Sequence, residues 1–157
     1  MDNEITIISI DPSFVSTGWA ILSYGDDVLP IDYGVICPQT NNKTDAITII
    51  HDALNSLIET HQPQQIATEI PFNHRNIQTT MSLSMLQGII MLLCGKHQIE
   101  YHPYSVRTIK QSVTGSGSAR KEQVAFCVAQ KLQIEQCHQH DASDALAVGL
   151  CHIYQKK

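Results

Sequence analysis

The first 69 residues contain one basic side chain, Lys43, against ten acids. The opening MDNEITIISID carries acids where a secretory signal carries bases, so export is not expected. Charge is scarce throughout, at 16% of residues, while apolar residues reach 43%, which excludes a disordered tail or a coiled coil. No apolar run attains the roughly 18–20 residues of a membrane helix. The nearest, Met81 to Cys94, is broken by Ser82, Ser84, Gln87 and Gly88, so no membrane partner is expected. Five cysteines (Cys37, Cys94, Cys127, Cys137 and Cys151), an odd number with no C-x-x-C pair, argue against a disulfide framework and fit a reducing cytosol. Repeats, low-complexity tracts and linkers are absent too, and 157 residues fit a single domain spanning 1–157.

The bases that are present gather in the middle. Residues 70–121 hold Arg75, Lys96, Arg107, Lys110, Arg120 and Lys121 against one acid, Glu100. Such a stretch can face phosphates or can be an ordinary solvated surface. Near the C-terminus Cys137, His138, His140, Cys151 and His152 cluster, but their spacing matches no familiar zinc pattern and Asp141 interrupts it.

Hydrophobic periodicity gives an element order. Glu4–Asp11, Thr17–Tyr24 and Ile31–Cys37 read as three strands with short connections, an antiparallel meander. Apolar spacing predicts a helix over Thr44–Thr60, then a strand over Gln65–Ile70. Ile77–Lys96 reads as a long helix, apolar on nearly every side from Leu83 to Cys94, hence deeply buried or shared with a partner subunit. A fifth strand at Gln98–Tyr104 precedes helices around Ser105–Ser112, Ala119–Leu132 and Asp141–Tyr154. The order predicts an α/β fold, a mixed five-stranded sheet flanked by helices.

Four carboxylates stand where burial disfavours them. Asp11 ends the first strand, Glu69 nearly ends the fourth, and Asp141 and Asp144 lie on one face of the last helix. If the first and fourth strands are parallel neighbours, Asp11 and Glu69 reach the same sheet end. Singly, Asp11 reads equally well as a turn former before Pro12, Asp141 as a helix cap, and Glu69 as a surface group. Together their oxygens suit hard cations, Mg²⁺ or Mn²⁺. Two such ions about 3.5–4 Å apart would equip the site to cut a phosphodiester, with the carboxylates as ligands rather than nucleophiles.

Four segments resemble the RuvC family of Holliday-junction resolvases, in order and over most of the chain. IDPSFVSTGWAIL (Ile10–Leu22) is similar to the family's first-strand motif, and ATEIPF (Ala67–Phe72) to its second. VRTIKQSVTGSGSARKEQV (Val106–Val124) resembles the basic segment, and HDASDALAVGLCH (His140–His152) the closing D-x-x-D-A-L-A helix. The resemblance implies an RNase H-like fold and a homodimer that nicks a four-way or branched DNA junction symmetrically, leaving 5′-phosphate and 3′-hydroxyl ends. It implies Asp11, Glu69, Asp141 and Asp144 as metal-binding catalytic acids, two Mg²⁺ per site with Mn²⁺ as substitute, and Lys110 and Lys121 as catalytic phosphate contacts. Phe72 would stack on an unpaired base, and Ile77–Lys96 would form part of the dimer interface. By their own residues Phe72 reads also as a core aromatic and the two lysines as helix-surface groups, while the basic stretch adds Arg75, Arg107 and Arg120, the last a substitute for Lys121, to the DNA surface.

The chain departs from that pattern in Ser13, where chromosomal members commonly carry glycine, and in its acidity and short C-terminus, features closer to phage or mobile-element relatives. Other readings are a broader branched-DNA or RNA–DNA hybrid nuclease, a junction binder without catalysis, and a nucleotide-binding fold of the actin type, for which one domain is too little. The Gly115-Ser116-Gly117 loop offers a weak phosphate-cradle reading, and His140 reads as a bystander beside Asp141.

Overall fold

The computed structural model describes residues 4–71, 76–135 and 139–156. Strands β1 (Ile5–Asp11), β2 (Thr17–Tyr24) and β3 (Val28–Ile36) form the antiparallel meander. Helix α1 (Lys43–His61) leads to β4 (Gln65–Glu69), and α2 (Ile77–His97) to β5 (Glu100–Tyr104). Helices α3 (Val106–Thr114), α4 (Lys121–Leu132) and α5 (His140–Lys156) complete the described fold. The sheet order is β3-β2-β1-β4-β5, with β4 parallel to both β1 and β5.

β1 and β4 are central because their side chains are apolar on both faces. Ile8, Ile10 and Ile66 pack with Ile50, Leu54 and Ile58 of α1 and Leu86, Ile90 and Leu93 of α2. Ile7 and Ala67 face the other way, into a layer with α3, α4 and α5, whose residues 145–153 are all buried. α5 lies close on the sheet: an added Cβ at Gly149 would overlap the Leu22 side chain, and Ser9 Oγ donates to the Ala145 carbonyl at 2.7 Å.

Two expectations shift. β3 starts at Val28, not Ile31, so the strand runs through Pro30. This is allowed because β3 is an edge strand and the register against β2 slips between Ile21 and Leu22, where Pro30 sits opposite Leu22. α2 is not buried all round: Leu86, Ile90 and Leu93 face the core, while Ile77, Met81, Met85, Met91 and Leu92 are exposed. By length and composition alone α2 could cross a membrane, a feature the expectation of no such stretch did not foresee, yet its Leu86–Leu93 face is built into the sheet layer.

Candidate active site

Strand parity aims two of the acids at α5. Along β1, Ile7 and Ser9 face α5 and Ile8 and Ile10 face away, so Asp11 continues the α5-facing set. Along β4, Ala67 faces α5, and Glu69 shares its parity. The parallel register, with Ile10 opposite Thr68, brings both acids to one end of the sheet. From the helix side, Asp141 and Asp144 lie three residues apart in the first turns of α5. Gly18 lets that helix start reach the sheet, because a Cβ there would run into the main-chain carbonyl of Asp141.

One oxygen from each of Asp11, Asp141 and Asp144 lies within 4.8 Å of the others. Glu69 is not in that tight trio. It lines, with Asp11, Asp144, Lys110 and Lys121, a cleft of ≈ 320 Å³ whose apolar wall includes Leu83, Val106 and Ile109.

The electrostatics are those of crowded anions. Burial, reinforced by Glu69, Asp144 and Asp141, pushes the Asp11 carboxyl up from 3.8 to about 8, with Lys121 opposing. Burial and then Asp144 push Glu69 up to about 7, against the pull of Lys121 and Lys110. Asp144 is raised by burial, although Lys121 Nζ stands 3.4 Å from its Oδ2. The same contact raises Lys121 above its usual value. Because Lys121 is largely exposed, it screens the cluster only partly. An oxygen-only, partly buried, under-compensated set of this kind suits a hard divalent cation.

The remaining expected residues divide. Arg107 and Arg120 are exposed and do not line the cleft, Arg107 lying beside Gly117 and Arg120 at the start of α4. Phe72 and Arg75 lie outside the described residues. The phosphate-cradle reading of Gly115-Ser116-Gly117 fails, because its amides are already used. Gly115 N–H donates to the Gln111 carbonyl, Ser116 N–H to Thr114 Oγ1, and Gly117 N–H to Gln111 Oε1.

The C-terminal Cys/His cluster does not assemble among the described residues. Cys151 Sγ is buried against Ser112 Oγ, His140 is exposed, and Cys137 and His138 lie outside the description. His152 Nε2 faces Gln65 Oε1 at 2.8 Å, so it must donate, and Nδ1 accepts from the Tyr104 hydroxyl. Ser13, the departure from glycine, has no positive φ; its hydroxyl accepts from the Val15 and Ser16 amides and tightens the turn after Pro12.

Ser9, Gly18 and Gln87 shape the site without having been singled out in advance. Their signal was faint: a small or polar residue inside an otherwise apolar strand or helix.

Comparison with known proteins supplies the lineage. The family model for crossover junction endodeoxyribonuclease RuvC matches residues 7–152. The RuvC protein of Ehrlichia canis is 37% identical over 97% of this chain and 98% of its own length. That of Legionella pneumophila, strain Philadelphia 1, is 34% identical over 96% and 87%. Among solved structures, Thermus thermophilus RuvC in complex with a Holliday junction substrate superposes with a TM-score of 0.89 at 22% identity, covering 97% of this chain and 94% of that one. The Fowlpox virus resolvase bound to Holliday junction DNA gives 0.64 at 12% identity over 97% and 99%. The fold is thus the RNase H-like one, and the chain belongs to the RuvC family of crossover junction endodeoxyribonucleases.

Proposed function

We propose that this protein is a Mg²⁺-dependent endonuclease that resolves four-way DNA junctions as a homodimer. The observation that carries the reading is the trio Asp11, Asp141 and Asp144, within 4.8 Å of one another beside Glu69 and two lysines. The four carboxylates would hold up to two Mg²⁺ ions, for which Mn²⁺ would substitute. When bound, such a hard divalent cation would supply Lewis-acid stabilisation of the scissile phosphate and lower the pKa of water at the site.

The chain's own groups do the rest. Lys110 and Lys121, on the cleft wall, offset the charge of the phosphate, while the apolar wall of Leu83, Val106 and Ile109 limits bulk water. Water, not a carboxylate, is the nucleophile at phosphorus, and the P–O3′ bond is the one that breaks, so the products carry 5′-phosphate and 3′-hydroxyl ends. Arg107 and Arg120 extend the positive surface; Phe72 joins it on the strength of the sequence motif alone, and Arg75 on that of the basic stretch of residues 70–121.

For the dimer, Ile77, Met81, Met85, Gly88 and Leu92 form one stripe on α2, apolar and exposed where it carries side chains, with open space at Gly88. Two copies apposed through that stripe would present two sites to the two strands to be cut.

The test of catalysis against mere binding is Asp11→Asn with a labelled four-way junction. Retained junction binding with cutting lost in Mg²⁺ and Mn²⁺ supports the proposal. Undiminished cutting by the variant contradicts it.

A further inference from the structure

Gln87 is a buried polar side chain in the apolar middle of α2. Its Nε2 donates to the main-chain carbonyl of Glu69 at 2.6 Å and lies 3.4 Å from Thr68 Oγ1. Its Oε1 accepts from the Tyr101 hydroxyl at 2.6 Å. The orientation is determined by chemistry, because a main-chain carbonyl can only accept.

The end of β4 has a use for such a grip. The pairing of β1 with β4 stops at Ile10 and Thr68, and Pro12 has no N–H with which to extend it. Glu69 is the last residue of β4, and its carboxylate lies on the α5 face of the sheet. Gln87 approaches from the opposite, α2 face and holds the main chain from which that carboxylate departs.

We propose that Gln87, itself held by Tyr101, is a positioning residue for Glu69: it fixes the end of β4 so that the carboxylate stays on the cation-facing wall of the cleft. The proposal rests on Glu69 being a metal ligand. On its other edge β4 stays paired with β5, with Glu69 opposite Tyr104 and the Ile70 N–H donating to the Tyr104 carbonyl at 3.0 Å. Without the amide the Glu69 carbonyl keeps, among the described residues, only the Thr68 hydroxyl, at 3.1 Å, as a side-chain partner, and the edge towards β1 can shift. Mg²⁺ demands near-ideal octahedral geometry, so a small displacement of one ligand weakens the site.

The test uses Gln87→Met, a swap of similar volume that removes the amide, together with Tyr101→Phe and Glu69→Gln. Mn²⁺ binding is measured by calorimetry on DNA-free protein, and junction binding by fluorescence anisotropy in EDTA. Q87M is expected to weaken Mn²⁺ binding by about tenfold with junction affinity unchanged. Y101F should act in the same direction and add nothing to Q87M in the double variant. A folded Q87M with parental Mn²⁺ affinity would overturn the proposal and leave Gln87 a plain core residue. If Q87M fails to fold, Y101F decides, and parental Mn²⁺ affinity there overturns the proposal equally. Parental affinity in E69Q has a different meaning: it overturns the reading of Glu69 as a ligand, and the positioning role with it.

Discussion

The hydroxyl of Ser9 donates to the main-chain carbonyl of Ala145 at 2.7 Å, tying the central strand to the last helix one residue past Asp144 and two residues before Asp11. The tie is buried, so Ser9→Ala should cost about 1–2 kcal/mol. Gly149→Ala should cost about 1–3 kcal/mol, because its Cβ would meet both Leu22 and Ser9. Urea unfolding in EDTA measures both. Parental stability in the two variants would mean that α5 does not sit as closely on β1 as described.

Without metal, the site should make the protein less stable as pH rises. Asp11 and Glu69 have folded-state values raised to about 8 and about 7, from 3.8 and 4.5. Below about pH 3 both groups are protonated in both states and the site's stability is fully present. Between about pH 3 and pH 8 the unfolded chain ionises more readily, so stability falls, and above about pH 8 the loss is complete. Asp11→Asn, which cannot ionise, should therefore be more stable than the parent at pH 8 in EDTA by more than about 1 kcal/mol. Thermal melts across pH check it, and identical pH profiles for parent and variant would contradict it.

The same shifts predict protons released on metal binding. At pH 6.5 much of Asp11 and Glu69 is still protonated, and a cation must displace those protons. Calorimetric Mn²⁺ titration in two buffers of different ionisation enthalpy should show proton release at pH 6.5 and close to none at pH 9. Equal heats in both buffers at pH 6.5 would argue that these acids do not take the metal.

Much of this site was legible in the sequence because each acid sits at a boundary that chemistry marks. Asp11 precedes a proline after an apolar run, and Asp141 and Asp144 share a helix face by spacing alone. Lys110 and Lys121 were legible only through the family resemblance, since a lysine on a helix surface carries no local signal. Gly18, Ser9 and Gln87 were not legible. Their roles depend on which segment of distant chain packs against them, and periodicity does not encode that. β3 was read short because Pro30 ordinarily argues against a strand, and only its edge position permits it.

The exposed stripe on α2 should control assembly. Leu92→Glu introduces a charge on the exposed face rather than in the core, where Leu93 lies instead. Light scattering should then give the parent a dimer mass and the variant a monomer mass, with helicity unchanged. A variant that stays dimeric would place the interface elsewhere.

Among the described residues, three helices end on a left-handed glutamine, Gln62, Gln98 and Gln133, and α3 ends on glycine, Gly115. A left-handed residue with a Cβ costs about 1–2 kcal/mol, partly offset by the extra unfolded-state freedom of glycine. Gln133→Gly should thus stabilise the protein by up to about 1 kcal/mol without changing activity, as a denaturation curve and a cleavage assay would show together.

The most direct measurement sets end-labelled four-way junction, linear duplex and RNA–DNA hybrid side by side, with Mg²⁺ and with EDTA. Paired, symmetric nicks in the junction alone, sealed by DNA ligase and absent in EDTA, are the predicted result. Equal cutting of all three substrates, or nicks that ligase cannot seal, would contradict it.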